Sequence, residues 1–279
     1  VNTAVLGGFD GIHLGHRKLM ESAGSDPVVI CMEPLPRQLT AASGWSRRLT
    51  TPGERRKALH DIGIISIVTL PFHRGLMTCS PGQFAGVFSR LGAFDRVVVG
   101  WDFRYGHNRR GGPDTLTSSL HGVEVLVVPP FLQRGRPVKS EWIRSLVENG
   151  RLFEAAEYLG RPYSCLGVVA RGRGRGRSLG FPTMNVMVPA CKLLPPAGSY
   201  AVKVRTLGGD YAGAAFRQPE RNCVEVHIPG FQGENYGHEI EVFFAESIRK
   251  PQKTQTDPQL IELITMDVNA AMEVIKKWQ

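Results

Sequence analysis

Ala4-Val5-Leu6-Gly7-Gly8-Phe9-Asp10-Gly11-Ile12-His13-Leu14-Gly15-His16 is the stretch that decides how the first half of the chain folds. Ala4 to Gly7 is short and apolar and reads as a strand. Gly7-Gly8 and Asp10-Gly11 end it in a turn, and His16 to Ser22 reads as a helix. Strand, glycine-rich turn and helix together open a βα unit. Two imidazoles, His13 and His16, then stand three residues apart at the mouth of the helix. Gly15 between them lets phosphate oxygens approach the backbone, and the helix start offers unpaired N–H groups and the positive end of its dipole. Such a site can hold a nucleoside triphosphate and stabilise charge developing on its α-phosphorus. Zinc is the rival ligand for two nearby histidines, but no third or fourth ligand follows at a zinc spacing. The plainer alternative is a glycine turn flanked by surface histidines.

Outward from this stretch the βα pattern repeats. Val28 to Met32, Ile64 to Leu70, Arg96 to Val99 and Val123 to Val128 read as short buried strands. Thr51-Pro52 with Glu54 begins a helix running to about Asp61, and Ser80-Pro81 caps another with Phe84, Val87, Phe88 and Leu91 on one face. Helices follow over Glu141 to Glu148 and Leu152 to Tyr158. The alternation predicts a parallel sheet covered on both faces. Past Leu159 the character changes. Leu166 to Ala170, Ser199 to Arg205, Val224 to Ile228 and Ile240 to Ala245 read as strands separated by glycine turns, which predicts a small antiparallel barrel or sandwich. Pro258 to Lys277 reads as one long helix, its stripe of Leu260, Leu263, Ile264, Val268, Ala271, Met272 and Ile275 expected to pack on the barrel.

The second half has its own constellation. Residues 171 to 177 alternate arginine and glycine, and Leu179-Gly180-Phe181-Pro182-Thr183-Met184-Asn185 follows at once. A loop of glycines and guanidinium groups suits phosphates; a structured turn with surface arginines is the simpler alternative. Thr183 and Asn185, two apart on an extended segment, point the same way. A hydroxyl and an amide oxygen on one side can hold Mg²⁺, with ATP phosphates as further ligands.

Both constellations resemble one family. The first carries the His-x-Gly-His signature of nucleotidyltransferases, and with Gly7, Phe9, Asp10 and Gly15 it is similar to the version in bacterial bifunctional riboflavin kinase/FAD synthetases. Gly100, Asp102, Phe103 and Tyr105 resemble that family's loop beside flavin and nucleotide; read from the residues alone, those aromatics equally suit a core. Ser140, Ile143 and Arg144 resemble its segment over the ATP phosphates. Gly174, Arg177, Gly180, Pro182, Thr183 and Asn185 fall in a stretch that resembles the riboflavin kinase signature, and Glu225 matches a Glu-Val-His strand whose glutamate is the family's general base. Without the resemblance, Glu225 is one exposed residue of an alternating strand. Arg249 matches a position near the flavin.

The resemblance implies an α/β fold: a Rossmann-like nucleotidyltransferase domain over residues 1–158, then a riboflavin kinase domain over 159–279, a small antiparallel β-barrel with a C-terminal helix. It implies His13, His16 and Arg144 for adenylyl transfer and Glu225 for phosphorylation, with ATP and Mg²⁺ consumed and riboflavin, FMN and FAD as substrates and products. The sequence departs from the family pattern at Gly8 (usually Asn), at Leu35 between two prolines (usually His), at Lys139 and Glu141 around Ser140, and at Pro251 and Thr254 after Arg249. By charge logic the histidine missing at Leu35 and the carboxylate at Glu141 weaken anion binding, with Lys139 compensating in part, so a riboflavin kinase with an impaired adenylyltransferase domain is the alternative.

Bulk properties set the outer limits. The 279 residues are 42% hydrophobic, enough for a core in each half, and carry a formal net charge of +9. A basic balance suits nucleic acid, anionic membranes or phosphorylated ligands; the arginines lack a helical recognition pattern or interleaved aromatics, which argues against nucleic acid. Cys31, Cys79, Cys165, Cys191 and Cys223 are widely spaced and odd in number, against a disulfide framework. No apolar run approaches membrane-spanning length, and Val1 to Gly8 lacks the features of a signal peptide. The expected partners are small-molecule substrates, with neither membrane nor nucleic acid, in a cytoplasmic monomer or weak homo-oligomer.

Overall fold

The computed structural model describes residues 1–40, 47–172, 174–233 and 235–278, Thr40 by its backbone alone. The chain forms two compact units, Val1–Ser140 and Glu141–Gln279.

The first unit is built on β1 (Thr3–Gly7), β2 (Val28–Glu33), β3 (Ile67–Pro71), β4 (Arg96–Gly100) and β5 (Glu124–Val128), all parallel, in the order β3-β2-β1-β4-β5. Between them run α1 (Leu14–Ser22), α2 (Pro36–Thr40), α3 (Pro52–His60), α4 (Arg74–Thr78), α5 (Pro81–Ser89) and α6 (Pro113–Ser119), and a short hairpin, β6 (Leu132–Gln133) and β7 (Arg136–Pro137), ends the unit. Strand residues alternate between two cores. Val5, Val29, Cys31 and Val98 pack with Met20 and Leu59 on one face, and Leu6, Ile30, Val97 and Val99 pack with Phe84, Phe88 and Leu116 on the other. Each fully buried side chain of this size contributes about 2 kcal/mol. The expected Thr51 cap is a complete capping box: Glu54 N–H donates to Thr51 Oγ1 (3.2 Å) and Thr51 N–H to Glu54 Oε2 (2.8 Å).

β3 starts three residues later than the sequence suggests. Ile64 is spent closing α3, its N–H donating to Leu59 O at 3.0 Å, and ladder pairing begins only at Ile67 opposite Val29.

In the second unit α7 (Ser140–Glu148) and α8 (Leu152–Leu159) precede β8 (Tyr163–Ala170), the single turn α9 (Arg175–Ser178), β9 (Met184–Met187), β10 (Gly198–Thr206), β11 (Gly209–Arg217), β12 (Cys223–His227), β13 (Glu239–Arg249) and α10 (Asp257–Lys277). The strands close an antiparallel barrel in the order β10-β11-β12-β9-β8-β13. Closure leaves no sheet edge to protect. β11, with its Gly213-Ala214-Ala215 centre, lacks the β-branched residues that mark a strand by propensity. Its nine-residue ladder with β10 makes it one.

α10 behaves differently along its length. Ala271 meets Ala201, Ala214 and Ala245 where the helix lies on the barrel, joined by Val268, Val274, Ile275 and Trp278. The residues nearer its start, Leu260, Leu263 and Ile264, are only partly covered and face a cavity.

Candidate active sites

The first site is a crevice of about 240 Å³ at the carboxyl ends of β1, β4 and β5, where an open parallel sheet reverses its strand order. Gly7, Gly8 and Phe9 leave β1 into it, Gly100, Asp102 and Phe103 leave β4, and His13, Gly15 and His16 border it from the start of α1. His13 caps that helix: its Nδ1 accepts the His16 N–H at 3.2 Å. A neutral imidazole whose Nδ1 accepts carries its proton on Nε2. The two rings stack with centroids 3.6 Å apart, and the His16 ring meets Phe9 edge-on at 5.2 Å. A side chain at position 15 would crowd this arrangement, since its Cβ would stand 3.3 Å from the His13 ring and from Val138 O. Glycine therefore keeps the helix start open.

The loop is held under strain. Phe9 (φ 53°) and Ile12 (φ 42°) are both buried with positive φ, a conformation side chains rarely adopt. Asp10 braces it: its Oδ1 accepts the Thr50 N–H (3.1 Å) and its carbonyl accepts Ser140 Oγ (2.8 Å), while Gly11 N–H donates to Thr50 Oγ1 (3.0 Å). Arg55 donates to Gly8 O at 2.9 Å and to Glu33 at 2.7 Å, and Arg48 pairs with the same Glu33 at 2.8 Å; both guanidinium groups are buried. The Asp10 side chain thus works inside the loop and does not line the crevice.

Tyr105 is also placed away from it. Its ring is 5% exposed and packs 4.4 Å from Phe84, with its hydroxyl 3.2 Å from Thr115 Oγ1. Burial beside an aromatic neighbour outweighs the pocket position suggested by sequence. Arg144 lies on α7 in the second unit, and the lining of the crevice ends at Ser140. Two lining features carried no signal in the sequence reading, Trp101 and the Pro129-Pro130-Phe131 run; Lys139, which the sequence placed beside the phosphate segment, lines the crevice too. A rigid proline pair directly after a buried strand was the available cue.

The second site is a cavity of about 360 Å³ in the barrel unit. Glu225 on β12 stands opposite Asn185 on β9 in register, so the two share a face, and Thr183 lies two residues before Asn185 on that same side. Thr183 and Glu225 line the cavity; Asn185 does not. Burial pushes the Glu225 carboxyl above the usual range, with Arg221 pulling the other way. Gln218 Nε2 donates to Glu225 Oε1 at 2.8 Å.

The glycine-arginine run is ordered on either side of Arg173, which lies outside the described residues. A Cβ on Gly172 would be 2.1 Å from Asn185 Nδ2, and one on Gly176 would be 2.4 Å from Phe181 O and 3.2 Å from Thr183 Oγ1. Gly172 and Gly176 thus lie against the two polar residues, Arg171 sits over the Tyr236 ring, and Arg175, which lines the cavity, pairs with Asp257 at 2.9 Å. Gly174 caps α9 with φ 73°, Gly180 ends it with φ 86°, and the Pro182 carbonyl accepts His227 Nδ1 at 2.8 Å. Gly174, Arg177, Gly180 and Pro182 shape this turn without lining the cavity.

Arg249 does line it, gripped by Asp267 through two bonds of 2.7 Å, and Ser199 Oγ donates to the same carboxylate at 2.6 Å. Leu260, Leu263, Ile264 and Val268 of α10, with Phe181 and Leu179, give the cavity an apolar part. The helical stripe signalled packing on the barrel; its first half also lines the cavity.

A parallel sheet with stacked histidines at a helix start, joined in one chain to a closed barrel that aligns Thr183, Asn185 and Glu225, defines a two-domain transferase of phosphorus-containing groups. The FAD synthetase family matches residues 2–142 and the riboflavin kinase family matches residues 159–275. The bifunctional riboflavin kinase/FMN adenylyltransferase of Bacillus subtilis (strain 168) is 30% identical over 96% of this chain and 90% of its own. That of Listeria monocytogenes (strain EGD-e) is 30% identical over 94% and 88%. Among solved structures, a Streptococcus pneumoniae protein described as a macrolide-efflux protein superimposes with TM-score 0.86 at 26% identity, covering 100% of this chain and 94% of that one. The efflux description is not carried over; among the described residues no helix is long and apolar enough to cross a membrane. The chain belongs to the bifunctional riboflavin kinase/FMN adenylyltransferase family.

Proposed function

We propose that the barrel unit phosphorylates riboflavin to FMN and that the parallel-sheet unit joins FMN to AMP, giving FAD and pyrophosphate, with ATP consumed in both steps. The observation that carries this reading is the register of Asn185 against Glu225, which with Thr183 and the apolar residues of α10 lines one cavity. The apolar wall suits the flavin ring. Glu225, its carboxyl raised by burial, takes the proton of the ribityl terminal hydroxyl as that oxygen attacks the γ-phosphorus, and ADP leaves. Thr183 Oγ1 and Asn185 Oδ1 are hard oxygen donors on one face, fit to hold Mg²⁺, which neutralises charge on the ATP phosphates when bound. Gly172 and Gly176 bring backbone against those two side chains, where phosphates would be covered. Arg249, positioned by Asp267, stands at the flavin end of the same cavity.

In the crevice of the first unit the FMN phosphate attacks the α-phosphorus of ATP, and pyrophosphate leaves. His13 and His16, with the N–H groups at the start of α1, stabilise the charge in that transition state. The attacking phosphate is already an anion, so no protein base is required. Gly7, Phe9, Gly15, Gly100, Asp102, Phe103 and Ser140 shape the nucleotide and flavin positions, Asp10 and Tyr105 support them from behind, and Arg144 closes over the phosphates. The functional boundary is proposed at 158/159, although α7 and α8 pack with the barrel unit. The enzyme acts on small molecules in the cytoplasm as a monomer or weak homo-oligomer.

A kinase-only reading is favoured by one observation. A Cβ on Gly8 would touch Leu35 at 3.4 Å, so two of the departures from the family pattern adjoin at the crevice and remove polar groups from one place. Incubating the protein with riboflavin, ATP and Mg²⁺ and separating the flavins decides between them. FMN followed by FAD supports both activities, FMN alone leaves only the kinase, and neither product ends the proposal.

A further inference from the structure

A crevice that binds a triphosphate needs fixed positive charge, and this one holds little. Among the residues lining it, Lys139 is the only lysine or arginine and Asp102 the only carboxylate. The two are paired: Lys139 Nζ lies 3.0 Å from Asp102 Oδ2 and 4.5 Å from the centre of the Trp101 ring. The pair therefore cancels the charge of the crevice. Both side chains are about half exposed, so the pairing is weak and easily exchanged. The carbonyl of the preceding residue, Val138, abuts Gly15 at the start of α1, which puts the root of Lys139 beside the helix terminus and its stacked histidines. A four-carbon stem gives the ammonium several ångströms of travel from that root. A polyphosphate concentrates more charge than one carboxylate and lies against the same helix start, so it outcompetes Asp102 for the cation.

We infer that Lys139 is the phosphate-gripping cation of this crevice, resting on Asp102 and Trp101 when the crevice is empty and moving to the pyrophosphate portion of ATP when the nucleotide binds. The inference rests on the adenylyl-transfer reading of the crevice and adds its charge-bearing residue. Lys139 stabilises the leaving pyrophosphate, and Asp102, left in solvent, loses little. It is a substrate-binding residue at a position where the family pattern has serine, so the device belongs to this chain and offsets the polar groups lost at Gly8 and Leu35.

The test uses the full chain with Lys139→Met, which keeps the stem and removes the charge, and Lys139→Arg, which keeps the charge. Lys139→Met is expected to raise the KM for ATP in FAD formation about tenfold and to weaken Mg-pyrophosphate binding, followed by calorimetry, by a similar factor. The KM for FMN stays within about twofold, riboflavin phosphorylation is unchanged, and Lys139→Arg restores most of the loss. Quenching of Trp101 emission by the overlying ammonium is relieved by pyrophosphate in the wild type and is absent from Lys139→Met. An unchanged KM for ATP in Lys139→Met, with wild-type protein forming FAD, overturns the inference and leaves the adenylyltransferase standing. Wild-type protein that forms no FAD and binds no pyrophosphate removes the adenylyltransferase reading, and this inference falls with it.

Discussion

The two pockets are built by different physical means. The crevice in the parallel sheet is polar, backbone-rich and held in a strained form by Asp10, Arg55 and the Glu33 ion cluster. The barrel cavity is half apolar, walled by a helix, with one carboxyl raised by burial. The difference fits the two steps proposed for them. Attack by a phosphate anion needs only charge stabilisation, whereas attack by a hydroxyl also needs a proton acceptor. On the proposed assignment a buried carboxyl serves the second and a helix start with two imidazoles the first.

The comparison breaks most sharply at Glu225. Replacing it by Gln is expected to lower FMN formation by roughly 10³-fold or more while FAD formation from added FMN continues. Equal loss of both would contradict separate sites. His16→Ala is the mirror experiment: FAD formation falls about 10²-fold or more with FMN formation intact. Glu33→Ala leaves two buried guanidinium groups without their carboxylate, and costs about 3–5 kcal/mol in the first unit. Denaturation should then show that unit melting ahead of the barrel, and a single unshifted transition would discount the brace. Asp267→Ala should cost about 2–3 kcal/mol, because Arg249 keeps some solvent, and should raise the KM for riboflavin more than the KM for ATP.

The smallest effect is in pH dependence. Glu225 must be ionised to accept a proton, so phosphorylation falls as pH drops through its raised pKa. Arg221 holds that pKa down; Arg221→Ala should move the acid limb of the kinase profile slightly upward and leave the adenylyl profile in place. The exposure of Arg221 keeps the change small. A downward shift would contradict the electrostatics.

Much of this was legible because local chemistry repeats itself. Thr51-Pro52-Glu54 reads as a capping box and forms one, and Gly7 to His16 reads as strand, turn and helix and is so. Thr183 and Asn185 were expected on one side of an extended segment; the ladder sets Asn185 opposite Glu225, and Thr183 shares the cavity with Glu225. What could not be read came from partners distant in sequence. Asp10 meets Thr50, Tyr105 meets Phe84, and nothing in the neighbourhood of either announces that partner. The stripe of α10 runs from Leu260 to Ile275 without a break, yet Leu260 lines a cavity while Ala271 packs on Ala201, Ala214 and Ala245. Two glycines of the arginine-rich run, Gly172 and Gly176, pack closely against Asn185 and Thr183, which the run's composition did not announce.

The most direct test is a time course with wild-type protein, riboflavin, ATP and Mg²⁺, run beside Glu225→Gln supplied with FMN in place of riboflavin. The account predicts FMN and then FAD from the wild type, and FAD from the variant at close to the wild-type adenylylation rate. Absence of FAD in both, or FMN made from riboflavin by Glu225→Gln at the wild-type rate, would contradict it.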